Sequence, residues 1–156
     1  MTIIEKTVIV SHSTIKMFKL ISNINNYHYY LPWCKNAQII SQRPISHNQE
    51  ELIGVIYIEY LKLRTNFKTK NIHSLHITED HHQISFDLLE GPFTYLSGNW
   101  NFIPLGVDAT KIEFVMQYKF SNFLLEKAIG PIFSYLYKHI LDSFIMQANK
   151  TMLTER

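Results

Sequence analysis

The fold is decided by residues 111–144, KIEFVMQYKFSNFLLEKAIGPIFSYLYKHILDSF, where the spacing of apolar residues changes abruptly. Up to Phe120, apolar and polar residues alternate, which predicts a strand with one buried face and one solvent-facing side. Beyond Phe120, apolar residues recur every three or four positions, which predicts an amphipathic helix. Because proline clashes with the preceding helical turn, we expect a short helix, a break at Gly130–Pro131 and a long helix from about Pro131 to Thr151.

Working toward the N-terminus, the remaining chain is mostly strand-like. Further strands are predicted at Glu5–Ser11, Ala37–Gln42, Glu51–Glu59, Leu61–Ile72, Gln83–Glu90 and Thr94–Ile103. Short polar or Gly/Pro-bearing connections favour an antiparallel meander. Ser13 is the expected cap of a helix after the first strand, and a second short helix or turn should end near Pro32. The prediction is an α+β protein in which a curved antiparallel sheet of about seven strands surrounds a long C-terminal helix.

Composition limits the class of protein and its partners. Of the 156 residues, 46% are hydrophobic, which suffices for the core of one domain over residues 1–156. The formal net charge of +2 gives no overall preference for nucleic acid or membrane, so only a local patch could provide one. The single cysteine, Cys34, excludes an internal disulfide. Neither a signal peptide nor an apolar run of ~20 residues is found, so we expect a cytoplasmic protein.

The predicted architecture raises the question of what fills its interior. A strongly curved sheet has a concave face too deep for one helix to fill, so side chains or a ligand must occupy the remaining space. Aromatic residues make up 13% of the chain, a content typical of a ring-lined cavity and equally of an aromatic core. For any individual residue, packing is the favoured role. The inward-facing candidates for ligand contact are Phe67, Phe86, Leu88, Trp100, Phe102, Phe114, Met116, Phe133, Leu136, Ile140 and Phe144.

Two segments resemble the signatures of a known family. Residues 27–34, YHYYLPWC, are similar to the first signature of the coenzyme Q-binding START-like proteins, except that His28 and Tyr30 replace proline and phenylalanine. Residues 90–102, EGPFTYLSGNWNF, resemble the second signature, Gly-Pro-Phe-x-x-Leu-x-Gly-x-Trp-x-Phe. The resemblance extends from about Val8 to Met152 and adds Trp33 to the candidate ligand contacts.

The resemblance implies a helix-grip fold and a hydrophobic ligand. The family includes the mitochondrial ubiquinone-binding protein and the bacterial RatA proteins, so the first hypothesis is a non-enzymatic binder of ubiquinone without a catalytic cofactor. It would support respiratory electron transfer or quinone biosynthesis in the bacterial cytoplasm, with peripheral contact to the inner membrane as an option and no DNA partner. The alternative is a RatA-like toxin that binds the large ribosomal subunit and blocks subunit association. An enzyme like the aromatase/cyclases of the wider superfamily is a weaker third hypothesis, because the sequence shows no acid–base pair.

The glycines and the proline of the second signature also have a direct structural interpretation. Leu96, Gly98 and Trp100 share a strand face, and Gly98 leaves a gap between large side chains, as expected at a bend or a close backbone approach. Gly91 and Pro92 cannot continue a central ladder, so they predict a bulge or turn that curves the sheet.

A basic stripe is predicted on the strand at 61–72. It consists of Lys62, Arg64, Lys68 and Lys70, which all have even numbers and therefore share one face. The opposite, inward face would hold Leu61, Leu63, Thr65 and Phe67. Ordinarily such a face is simply solvated, but it could also bind phosphates of ribosomal RNA or anionic lipid headgroups.

The eight histidines do not predict a metal site. His73 and His76 have opposite parity on a strand, and His81 and His82 are adjacent in a predicted turn, so their side chains should diverge. Cys34 has no neighbouring base and is expected to be a buried thiol, not a nucleophile. We therefore expect neither a metal nor a catalytic residue.

Overall fold

The structure is a computed structural model that describes residues 1–61 and 63–154, with side chains as far as Thr151. In chain order the elements are β1 (Thr2–Val10), α1 (Thr14–Ser22), a 3₁₀ turn (Ile24–Asn26), α2 (Tyr27–Tyr30), β2 (Cys34–Ser46), β3 (Gln49–Tyr60), β4 (Leu63–Ser74), β5 (His82–Glu90), β6 (Phe93–Gly106), β7 (Ala109–Phe120), α3 (Phe123–Lys138) and α4 (Ile140–Thr154). Ser13 caps α1 as predicted, since its side chain accepts a hydrogen bond from the Lys16 amide.

The strands form one antiparallel sheet. Within the described residues its order is β1-β7-β6-β5-β4-β3-β2, so β2 to β7 form the predicted meander. The first strand crosses the molecule to pair with the last, which places Ile4 opposite Met116. This sheet and the long C-terminal helical segment make the helix-grip architecture, and the predicted fold class is confirmed.

Aromatic rings join the concave face of the sheet to the C-terminal helix. Phe133 of α3 and Phe144 of α4 are completely buried. The Phe133 ring lies 4.8 Å from that of Tyr118, and the Phe144 ring lies 5.6 Å from that of Trp100, between ring centroids. Trp100 in turn contacts Phe114 at 4.2 Å. These are distances at which offset and edge-to-face ring pairs are favourable, so the helix is held by direct contact with the sheet.

The predicted helix break at Gly130–Pro131 is wrong. Helix α3 continues through Pro131, and the interruption lies at His139, whose backbone has φ −109° and ψ 0° and donates to the Leu136 carbonyl. Pro131 costs the helix a hydrogen bond, but it lies on the exposed side, where the carbonyl left without its helical partner is accessible to water. Burial of Phe133 immediately afterwards keeps this segment helical on the sheet.

The inward position predicted for Leu61 is also wrong. Tyr60 and Leu63 are paired across β3 and β4, so Leu61 belongs to the tight connection between them. Its φ of 55° is left-handed, and its side chain is 78% exposed. Positive φ is common in tight hairpin turns, so the turn geometry at Leu61 decides the direction of its side chain.

Gly98 permits a close approach between strands and rings, as its position in the second signature predicts. A Cβ atom at this position would lie 2.4 Å from the Val115 carbonyl oxygen and 2.5 Å from the Phe86 ring. The adjacent turn at Gly91–Pro92 is anchored to the end of β7, because the Ser121 amide donates to the Pro92 carbonyl at 3.0 Å. The close approach of the Val115 carbonyl and the Phe86 ring to Gly98 is therefore possible only because glycine has no side chain.

We expect Gly98→Ala to lower the free energy of unfolding by about 1–3 kcal/mol, because the added methyl group overpacks the interior. Gly130→Ala is the control, since the nearest side-chain atom would lie at an ordinary 3.6 Å. Within α3 this change should raise stability by roughly 0.5–1 kcal/mol through helix propensity. Urea denaturation followed by tryptophan fluorescence measures both. Equal stabilities for the two variants would contradict the steric argument.

Candidate functional site

An internal cavity of about 50 Å³ lies between the concave face of the sheet, the α1–α2 region and the C-terminal helix. Most of its wall is apolar or aromatic. It is lined by Ile21, Ile24, Tyr27, Ile56, Phe67, Thr69, Asn71, His73, Ile84, Phe86, Trp100, Phe114, Met116, Tyr137 and Ile140.

The structure brings half of the candidate ligand contacts to this cavity. Those that line it are Phe67, Phe86, Trp100, Phe114, Met116 and Ile140. Those that do not are Trp33, Leu88, Phe102, Phe133, Leu136 and Phe144, which are buried in the surrounding core except for the partly buried Leu88. Trp33, for example, packs on Tyr137 with 5.7 Å between ring centroids. Their part in ligand binding stays a prediction.

The cavity is small compared with the sites that hold rings. An apolar protein cavity that binds benzene has a volume of roughly 150 Å³, and drug-sized ligands occupy at least about 300 Å³. At about 50 Å³, the space here holds no more than a few water molecules unless wall side chains move. Phe86 is the wall ring with the most freedom, because it is partly exposed and stacks on Phe114 at 6.4 Å.

A polar strip in the cavity wall escaped the sequence analysis. Thr69, Asn71 and His73 occupy alternate positions of β4, are buried, and line the cavity beside Phe67. The Asn71 Nδ2 atom donates to the Thr69 hydroxyl at 3.0 Å and to the Thr69 carbonyl at 3.3 Å. The sequence does contain a signal for this strip, since Thr69, Asn71 and His73 have the odd parity of the inward-facing Phe67.

Burial also controls the titratable groups around the cavity. It lowers the pKa of His73, and the nearby Glu50 carboxylate, 3.6 Å from the imidazole Nδ1, partly offsets this. It raises the pKa of the Tyr27 and Tyr137 hydroxyls, which stay protonated. Neutral side chains thus face the cavity, as an apolar interior requires.

The first signature packs on the C-terminal helix near this cavity. The Tyr27 hydroxyl donates to the Ile21 carbonyl, and the Tyr30 hydroxyl is buried with no partner among the described residues. The phenylalanine expected from the signature would leave no such group. Cys34 is a buried free thiol, as predicted, and burial raises its pKa to about 11.

The basic stripe shares the outer face of the sheet with carboxylates. Lys62 lies outside the described residues. Arg64 Nη2 is 3.5 Å from a Glu59 oxygen, and Lys68 Nζ is 3.5 Å from a Glu90 oxygen. Lys70 is paired in register with Asp87. Leu63 and Phe67 are buried on the opposite side of β4, which confirms that the basic stripe faces outward. The positive charge of the stripe is, however, largely compensated by the neighbouring carboxylates.

A second group of cations lies on the helices. This group, the helical basic face, consists of Lys16 and Lys19 of α1, which border one surface groove, and Lys150 of α4, which borders another. None of the three forms an ion pair within residues 1–61 and 63–151. The two helices are joined where the His12 ring and the Asn149 side chain are 2.8 Å apart. Lys16 and Lys19 border a surface groove with one carboxylate, Asp108.

No group of three or more His, Cys, Asp or Glu side chains in the described part of the chain is arranged to hold a metal ion. The histidines have other neighbours: His73 and His82 both contact the Phe18 ring, at 5.6 and 5.4 Å. Among the described helices, none is long and apolar enough to cross a membrane.

Comparison with known proteins identifies relatives over nearly the whole chain. The family described as polyketide cyclase / dehydrase and lipid transport matches residues 10–145. The chain is 28% identical to the ribosome association toxin RatA of Escherichia coli (strain K12), over 94% of this chain and 87% of that protein. It is 29% identical to the RatA protein of Rickettsia prowazekii (strain Madrid E), over 95% of this chain and 97% of that protein.

Solved structures share the fold. An 18 kDa protein of Caulobacter crescentus superposes with a TM-score of 0.76 at 22% identity, covering 97% of this chain and 99% of that one. The Zhui aromatase/cyclase of Streptomyces sp. R1128 also reaches a TM-score of 0.76, at 11% identity, over 97% of this chain and 95% of that one. At these identities the comparison establishes architecture and not activity.

We expect stability to fall in acid because of His73. Its folded-state pKa is depressed, so the unfolded chain binds a proton first as the pH drops below about 6.5. The stabilisation is therefore complete above that pH and is lost as the pH falls through the folded-state pKa. Thermal unfolding between pH 8 and pH 5 should show a smaller acid loss for His73→Gln than for the parent, with the pH 8 melt confirming that the variant folds. An identical loss in both would exclude His73 as a source.

Proposed function

The chain belongs to the polyketide cyclase/dehydrase and lipid transport family, and we propose that it binds the large ribosomal subunit and blocks subunit association. The resemblance of the two signatures to START-like proteins is thus confirmed at the level of the family. The observation that supports the ribosomal role most is the similarity to the ribosome association toxins, which spans 94% of the chain for the Escherichia coli protein. Such a role places the protein in the cytoplasm.

The filled interior favours a function at the surface. A cavity of about 50 Å³ cannot hold a polyisoprenoid quinone without rearrangement, whereas contact with a ribosome needs no internal space. Catalysis is not part of the proposal. The described residues that line the cavity include no carboxylate, so the acid–base groups available there are an imidazole and two phenols with raised pKa values.

We assign the RNA contact to the helical basic face. Phosphate binding gains free energy when cations that lack a protein counter-charge replace the ions around RNA. Within residues 1–61 and 63–151, Lys16, Lys19 and Lys150 form no ion pair and so meet that condition. By contrast, the carboxylates beside Arg64 and Lys68 would repel the same phosphates.

Two triple variants with the same charge change distinguish these surfaces. We expect Lys16→Glu/Lys19→Glu/Lys150→Glu to abolish co-sedimentation with purified large subunits in sucrose gradients, while Arg64→Glu/Lys68→Glu/Lys70→Glu retains most of it. For three phosphate contacts, binding by the parent should weaken roughly thirtyfold between 50 and 200 mM salt. Circular dichroism melts verify folding. Loss of binding only in the second variant would transfer the contact to the basic stripe, and failure of the parent to co-sediment would refute the ribosomal role.

A second function, non-catalytic binding of a hydrophobic ligand such as ubiquinone, is favoured by the mainly apolar cavity with its polar strip. Burying isoprenoid carbon would contribute about 25 cal/mol per Å² of apolar surface. Because the cavity measures only about 50 Å³, a bound quinone requires wall side chains to move, and Phe86 is the least buried ring among them.

If the second function is correct, we expect quinone to be recovered from the protein purified from bacterial cells. Organic extraction and mass spectrometry should detect ubiquinone at a substantial fraction of the protein concentration, and at a lower fraction in Phe114→Glu, which introduces a charge into the cavity wall. A mock purification gives the background. If neither native quinone nor added ubiquinone binds, the second function is refuted while the ribosomal proposal stands.

A further inference from the structure

In the polar strip of the cavity, Thr69 and Asn71 bond to each other but do not use all of their hydrogen-bonding groups. The Asn71 amide is oriented with Nδ2 toward Thr69, an assignment that the Thr69 backbone carbonyl at 3.3 Å supports because a carbonyl can only accept. The Oδ1 atom of Asn71 therefore points away from Thr69. Among the hydrogen bonds of the described residues, none is donated to Oδ1, and none is donated by the Thr69 hydroxyl, which accepts from Asn71. Oδ1 is not among the fully inaccessible unpaired atoms of the described residues, so part of its surface stays accessible where Asn71 lines the cavity.

The strip thus offers one acceptor and one donor to whatever occupies the cavity. Both residues are buried at 5% exposure, where a polar group left without a partner is destabilising. A carbonyl or ether oxygen accepts and so satisfies the Thr69 hydroxyl but not Asn71. A hydroxyl group satisfies both, because it donates one proton and accepts through its lone pairs.

The rest of the wall specifies what carries that hydroxyl group. Phe86, Trp100 and Phe114 present aromatic surfaces to the same space, and Trp100 and Phe114 lie 4.2 Å apart as a tilted pair. Aromatic surfaces of this kind favour a flat ring over a flexible chain. His73, at the end of the strip, is kept neutral by burial and adds a further polar contact without adding a charge.

We infer that the cavity selects an aromatic ring bearing a hydroxyl group, of the phenol or hydroquinone class, through Thr69 and Asn71. This inference rests on the second proposed function, since it names the chemistry that the ligand must present. For a quinone it predicts a preference for the reduced form, whose ring carries hydroxyl groups, over the oxidised form, whose ring oxygens only accept.

Three probes of matched shape test the inference. These are 4-methylphenol, which donates and accepts; 4-methylanisole, which accepts; and toluene, which does neither. Isothermal titration calorimetry is performed on the parent and on Phe86→Ala, which enlarges the cavity. We expect 4-methylphenol to bind about tenfold more tightly than either of the others, the effect of a hydrogen bond worth roughly 1.4 kcal/mol.

Variants then attribute that preference to the strip. Asn71→Leu keeps the side-chain volume and should remove the tenfold advantage of the phenol while leaving toluene affinity unchanged. Thr69→Val should weaken both oxygen-bearing probes relative to toluene, and it provides an independent test if Asn71→Leu fails to fold. Ile84→Val, elsewhere in the cavity wall, is the matched control and should change all three affinities by a similar factor.

The outcomes separate the inference from the proposal on which it rests. Equal affinities for the three probes, or a phenol preference that survives both Asn71→Leu and Thr69→Val, would overturn the inference while ligand binding stands. If no probe binds to the parent or to Phe86→Ala, the inference is overturned, whereas the second proposed function is decided separately by the recovery and binding of ubiquinone. A phenol preference that both variants remove supports it.

Discussion

The packing of sheet rings against the C-terminal helix is the contact on which the rest of the structure depends. Phe133 and Phe144 are completely buried between the helix and the concave face, and each contacts rings from the sheet. Burial of such large side chains is worth several kcal/mol each, which outweighs the missing hydrogen bond at Pro131. The interruption at His139 therefore occurs between the two buried rings and not where the proline stands.

The same packing determines how much interior space remains. With Trp100 against both Phe114 and Phe144, the concave face is nearly filled and the cavity is left at about 50 Å³. A family whose members include lipid transport proteins is thus represented here by a chain with little room for a lipid at rest. This is why the first proposal is placed at the surface, and why the second requires side chains of the cavity wall to move.

Strand geometry also distributes the charged and polar groups. Alternation along β4 sends Arg64 and Lys68 outward and Thr69 and Asn71 inward, so a single strand contributes to both the outer surface and the cavity. The neighbouring strands then determine which partners each of these side chains finds. Outside, carboxylates of β3 and β5 compensate the cations. Inside, the surrounding rings leave the polar pair with few partners, which makes it a selective feature in an otherwise apolar space.

The sequence by itself determined the element types, their order and the direction of most side chains, because alternation, helical spacing and Gly98 act over a few residues. It also identified six of the fifteen residues that line the cavity. Only the tertiary structure decided the break at His139, the outward turn of Leu61 and the pairing of the basic stripe with carboxylates. These depend on which strands become neighbours and on how tightly rings pack across the sheet, and such long-range contacts leave no periodic pattern in the chain.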